Sequence, residues 1–125
     1  MLDNLKSMAN VAGLLKDLPK IKERMAALKD RLGAQTVTGE TGGGAVRVTA
    51  TGLLRVVSID VDPAMLAGLV DSTDPQDKAM AEGLIVGAVN MALQKARELA
   101  EKEAAAAAAE LGLPFPPGGL GGLVS

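Results

Sequence analysis

Seven apolar residues, Val11, Leu14, Leu18, Ile21, Met25, Leu28 and Leu32, follow one another at spacings of 3, 4, 3, 4, 3 and 4. That is the period of a helix with one apolar seam of coiled-coil type. Gly33 comes next, at the position where a left-handed residue commonly ends a helix. Pro19 lies inside the stretch and cannot donate to the carbonyl of Leu15, so it is expected to kink the helix or to restart it with Asp17 or Leu18 as the cap. Either way, residues 4–32 predict an arm roughly 40 Å long at 1.5 Å per residue.

The middle of the chain changes period. Val46, Val48 and Ala50 alternate with Arg47, Thr49 and Thr51, which is strand patterning with one apolar face. Thr51-Gly52 signals a tight turn, and Leu54 to Val61 resumes as a strand with Arg55, Val57, Ile59 and Val61 on one face. Upstream, Thr36 to Gly39 reads as a short strand and Glu40 to Gly44 as the turn after it, giving a three-stranded antiparallel meander. Asp62-Pro63 and Asp74-Pro75 each pair an N-cap with proline at the first helical position. They open a short helix through Val70 and a long one to about Leu111, where Gly112 and Pro114 supply the stop. Ile85, Val89, Ala92, Ala96 and Leu99 form its apolar stripe; beyond them the stripe is mostly alanine, with six in a row at Ala104 to Ala109. Alanine favours helix but buries little, so this end is expected to protrude or to pair closely with another helix.

Composition limits what such a chain can do. With 125 residues it fits one domain, here 1–111, followed by a tail, 112–125, of five Gly and three Pro that reads as flexible. Although 48% of residues are apolar, 21 are Ala, and the larger side chains are mainly 18 Leu and 11 Val with a single Phe. That is a thin supply for a self-sufficient core, and a homo-oligomer is the expected remedy. The absence of Cys excludes disulfides and thiolate chemistry, and the absence of His removes the side chain best suited to proton transfer near neutral pH. No enzyme, cofactor or small-molecule substrate is expected. The longest apolar stretch, Leu84 to Val89, is far short of the ~20 residues a membrane span needs, and the N-terminus lacks a clean signal-type apolar region. A cytoplasmic protein with no membrane partner is expected.

Three segments bear on binding. Gly39-Glu40-Thr41-Gly42-Gly43-Gly44 lacks the Gly-Lys-Ser/Thr ending of a phosphate loop and leads into a strand, so it reads as a hairpin connection. Asp60, Asp62, Asp71, Asp74 and Asp77 match no calcium-loop spacing, and two precede Pro as caps, so no metal is expected. Lys16, Lys20, Lys22, Arg24, Lys29 and Arg31 put six cations in 16 residues, offset to +3 by three acids. They are either a solvated face or a stripe that contacts a phosphate backbone. The net charge of −2 divides into +4 over residues 1–55 and −6 over residues 56–125, which leaves a local basic patch on an acidic chain. With Phe115 as the only aromatic, single-stranded bases have nothing to stack on, so any nucleic-acid ligand is expected to be a duplex held by its backbone with little sequence specificity.

The segment Val37-Thr38-Gly39-Glu40-Thr41-Gly42-Gly43-Gly44-Ala45-Val46-Arg47-Val48-Thr49, followed by Ile59-Asp60-Val61-Asp62-Pro63, resembles the YbaB/EbfC family of bacterial nucleoid-associated proteins. The leading amphipathic helix, the long last helix and the tail Leu113-Pro114-Phe115-Pro116-Pro117-Gly118 agree with that resemblance along essentially the whole chain. It implies an α+β fold, with a long N-terminal helix, a three-stranded antiparallel sheet, a short helix and a long C-terminal helix, assembled as a tweezer-like homodimer. It also implies a nucleoid location and duplex DNA gripped by helical arms. By position, Lys16 and Arg24 fall where the family is expected to carry basic residues, ahead of Lys20, Lys22, Lys29 and Arg31, with Lys95, Arg97 and Lys102 on the last helix behind them. The last helix is acidic here, at Glu98, Glu101, Glu103 and Glu110. The expected core comprises Val46, Val48, Val57, Ile59, Leu84, Ile85 and Val89. The alternative is a protein–protein interaction module that uses the apolar helix seam and associates with DNA only indirectly.

Overall fold

The computed structural model describes residues 2–71 and 73–112, with the side chains at 2–11, 14 and 70 left undescribed. The Pro/Gly-rich tail beyond Gly112, with Phe115, lies outside the described residues. The chain runs α1 (Leu2–Ala34), β1 (Thr36–Thr41), β2 (Val46–Thr51), β3 (Val56–Val61), α2 (Pro63–Val70) and α3 (Pro75–Glu110). This is the order the sequence predicts. No described helix is long and apolar enough to cross a membrane.

At the first helix the structure decides between the two expectations for Pro19 and corrects the one for Gly33. α1 continues through Pro19 as one element of 33 residues and is not restarted there. Leu15 and Pro19 are both exposed, so water can take the place of the missing backbone donor. Gly33 does not end the helix either; it lies in the last turn, Gln35 N–H donates to Leu32 O, and its Cα faces the Leu53 side chain. The caps behave as the sequence predicts. Asp62 accepts from the N–H groups of Ala64 and Met65 at 2.9 and 3.3 Å, and Asp74 accepts from that of Gln76 at 2.9 Å.

The strands form one antiparallel sheet in the order β1-β2-β3. Gly42, Gly43 and Gly44 turn the first hairpin with φ of 65°, 67° and 97°, a left-handed run that only glycine adopts without strain. β1 is longer than the sequence predicts: Glu40 and Thr41, expected in the turn, also pair with β2, so Gly39 is a mid-strand residue and not the last of its strand. The inner face carries Val37, Gly39 and Thr41 from β1 and Val46, Val48 and Ala50 from β2. A register shift at Thr49/Ala50 brings Val56 opposite Ala50, where it packs against the core, although simple alternation had assigned Val57 to that side.

α3 crosses β1 and β2 on the inner face and barely meets β3. The core between them is Ala45, Val46, Val48, Ala50, Leu66, Ala88, Ala92 and Ala96, flanked by partly buried Leu84, Ile85, Val89 and Leu93. The buried helix positions are alanines four apart, from Ala88 to Ala100, a ridge of small residues that lets the helix backbone approach the sheet. Gly39 completes that contact, because a Cβ there would stand 2.5 Å from Ala88 O and 2.6 Å from Ala92 N. Above it, the Thr41 hydroxyl donates to Leu84 O at 2.6 Å. Val57 and Ile59 are not in this core, contrary to the expectation: each is about half exposed, at 53% and 49%. Ile59 faces the inner side of the sheet, but α3 stops short of β3, and the register shift at Thr49/Ala50 leaves Val57 without a partner on β2.

Candidate nucleic-acid interface

The C-terminal half of α3 does not protrude alone. It lies antiparallel along α1, with Leu28 of α1 and Ala104 and Ala107 of α3 partly buried. Alanine is what makes this pairing close, since helices meet at short distance only where side chains are small. α3 takes only one edge of the predicted α1 seam. Leu32 is buried and Ile21 and Leu28 are half-buried, whereas Leu18 and Met25 remain exposed.

The six cations of α1 between Lys16 and Arg31 fall on two stripes. Spacings of 4, 4 and 7 place Lys16, Lys20, Arg24 and Arg31 on one side, and a spacing of 7 places Lys22 and Lys29 on the opposite side. All six are exposed. The first stripe rises about 22 Å from Lys16 to Arg31, a span that on duplex DNA holds on the order of a dozen phosphates. The two arginines differ from the lysines in one respect. Arg24 Nη1 is 3.2 Å from Glu110 Oε2, and Arg31 Nε is 3.3 Å from Glu103 Oε2. Among the described residues, none of the four lysines makes an ion pair.

The ion pairs follow from matched spacing. Arg24 and Arg31 are seven residues apart, and so are Glu103 and Glu110, which brings both pairs into register between antiparallel helices. The residues were legible in the sequence as charges; the shared spacing of seven was the signal for their pairing. On α3, Lys95 and Lys102 are exposed. Arg97 is half-buried, its Nη1 donates to Gln94 Oε1 at 3.3 Å, and its buried Nε has no partner. Arg97 is thereby set apart from the exposed cations.

A second surface was not singled out as a site. Ile59 and Val61 lie opposite Val48 and Val46 on the inner sheet face, yet both are exposed; Val57 at the register shift and Met65 of α2 are exposed as well. Ile59 and Val61 continue the inner face beyond the edge of α3 as an uncovered apolar strip along β3. The outer sheet face, by contrast, is polar: Glu40 and Arg47 form an ion pair, Asp60 lies opposite Arg47, and Thr38, Thr49 and Ser58 make a row across the strands.

A sequence model of the YbaB/EbfC DNA-binding family matches residues 8–111. A nucleoid-associated protein of Moorella thermoacetica is 36% identical over 107 residues, covering 86% of this chain and 96% of its own length. A nucleoid-associated protein of an Anaeromyxobacter species is 38% identical over 101 residues, covering 81% of this chain and 91% of its own. Among solved structures, an uncharacterized protein from Helicobacter pylori shares the fold, with a TM-score of 0.53 at 23% identity over 70% of this chain and 93% of that one.

Proposed function

The chain belongs to the YbaB/EbfC DNA-binding family, and from that membership we propose that it is a nucleoid-associated protein that binds duplex DNA through α1. The observation that carries the reading is the set of four exposed lysines, Lys16, Lys20, Lys22 and Lys29, free of described ion-pair partners along one helical arm. Lysine ammonium groups at helical spacing meet phosphates as point charges, which gives affinity without reading base edges. The proposed binding is therefore low in sequence specificity, non-catalytic and free of any cofactor.

The proposed binding unit is a homodimer. The apolar strip of Ile59 and Val61 on β3 continues the protomer's inner sheet face to a solvent-exposed edge. A second copy covering it would supply the apolar burial that an alanine-rich core lacks, and would place two α1 arms on one particle.

The test is fluorescence anisotropy of a labelled 30-base-pair duplex titrated with the full chain at low and moderate salt. The expected result is steeply salt-dependent binding that an unlabelled duplex of unrelated sequence displaces equally well. Lys16→Glu/Lys20→Glu and Lys22→Glu/Lys29→Glu identify the stripe that does the work, and combining the four is expected to abolish binding. Unchanged binding by the combined variant, or salt-independent binding of the parent, overturns the assignment to α1. No binding at low salt returns the function to a protein-interaction module.

A further inference from the structure

We propose that Glu103 and Glu110 are built-in competitors of DNA phosphate, holding Arg24 and Arg31 out of the phosphate-binding set until a duplex displaces them; this rests on the DNA-binding reading above. Both contacts join a guanidinium of the basic arm to a carboxylate of the acidic one. A guanidinium binds carboxylate and phosphate oxygens through the same N–H fork, so one anion can replace the other without rearranging the arginine. The approach is open from solvent: the Arg31 side chain is 67% exposed, while the Glu103 side chain opposite it is only 15% exposed. The carboxylate is thus the fixed member of that pair and the guanidinium the accessible one. Ala27, Leu28 and Ala107 line one cleft together with both ion pairs, so the two arginines face the same open groove.

The consequence is a division of labour within one helix. The four lysines are available at once and carry the counterion-release part of binding. The two arginines contribute only by exchanging one anion for another, which releases no counterion and gains little. The acidic C-terminal half of α3, which looks out of place on an arm of a DNA-binding protein, acquires a role as an internal phosphate substitute that limits affinity.

The experiment compares the full-length parent with Glu103→Gln/Glu110→Gln in the anisotropy titration, at several salt concentrations. Exposed ion pairs change equilibria by about 1.4- to 5-fold each, so the variant is expected to bind roughly tenfold more tightly. Its salt dependence is expected to steepen by about 1.8 in log–log slope per protomer engaged, from two added phosphate contacts. Glu98→Gln/Glu101→Gln serves as the control: it makes the same change in net charge, and neither residue is ion-paired to α1 among the described residues. Arg24→Gln/Arg31→Gln is expected to lose under twofold in the parent and to remove the whole gain in the Glu103→Gln/Glu110→Gln background. Circular dichroism checks that each variant keeps its helices, and Arg24→Met/Arg31→Met, which favours helix equally without the charge, replaces the arginine variant if it does not. Equal gains from the two glutamate variants, or weaker binding by Glu103→Gln/Glu110→Gln, overturn the proposal while leaving the DNA reading intact. Failure of the parent and Glu103→Gln/Glu110→Gln alike to bind at low salt overturns both, whereas binding by the variant alone supports the competition.

Discussion

Replacing Gly39 with alanine adds one methyl group and is expected to destabilise the protein about as much as truncating a large core side chain. The new Cβ would stand 2.5 Å from Ala88 O, 2.6 Å from Ala92 N and 3.0 Å from Met91 Cβ. Two of these atoms belong to helix backbone, which cannot rotate away as a side-chain end could. Comfortable contact needs ~3.5 Å, so α3 and β1 must separate by about 1 Å along that line. A gap of that size forfeits roughly a quarter to a half of the dispersion energy across it. The layer affected is the main core, where Val46, Val48, Ala88, Ala92 and Ala96 are all wholly buried. Taking the upper part of the usual overpacking range, the expected loss is about 3 kcal/mol, a large share of the ~5–15 kcal/mol that holds a domain folded.

Urea unfolding followed by circular dichroism measures this directly. At an m-value of ~2 kcal/mol/M the midpoint should fall by about 1.5 M, with m unchanged. Protein concentration must be held constant, because any dimer couples assembly to stability. Gly83→Ala is the companion variant: it lies on the same helix with nothing within 4 Å of the added Cβ. Ordinary helix propensity predicts that it raises stability by about 0.5–1 kcal/mol. A Gly39→Ala protein within ~0.5 kcal/mol of the parent would refute the close-approach argument.

Other perturbations test separate parts of the fold. Thr41→Val keeps the methyl that touches Gly87 but removes the hydroxyl that donates to Leu84 O at 2.6 Å, and should lower the urea midpoint by the equivalent of about 1 kcal/mol. Leu54 sits at φ 62° in the β2–β3 turn, so Leu54→Gly should leave stability unchanged or raise it by up to ~1 kcal/mol, whereas the same replacement at the neighbouring Leu53 should not. Ile59→Asp should convert the proposed dimer to monomer in sedimentation velocity while the circular dichroism spectrum stays helical; a variant that sediments with the parent would remove β3 from the interface.

Much of the local structure was written in the sequence because it depends on near neighbours. The 3–4 spacing from Leu18 to Leu32 specifies a helix in any context, and Asp62-Pro63 and Asp74-Pro75 start helices through their own side-chain and ring geometry. Alternation around Val46 and Val48 likewise marks a strand with one buried face. The positive-φ glycines 42 to 44 mark the turn, and the basic character of α1 is a matter of counting.

What the sequence could not decide is which of these surfaces meet. Gly39 looks like the last residue of a short strand leading into a glycine-rich turn until α3 is laid against it; its role is set by Ala88 and Ala92, some fifty residues away. Ile59 has the pattern of a core residue and is exposed in the protomer, because the reach of α3 across the sheet is a property of packing and not of strand period. Arg24 and Arg31 read as equals of the neighbouring lysines. Only the antiparallel pairing of α1 with α3 sets them against Glu110 and Glu103. Periodicity fixes which face of an element is apolar and where its charges stand, because those are properties of one helix or strand. Contact between faces is decided by shape and distance across the whole fold, and in this protein that is what separates the cations that are free, among the described residues, from those already engaged.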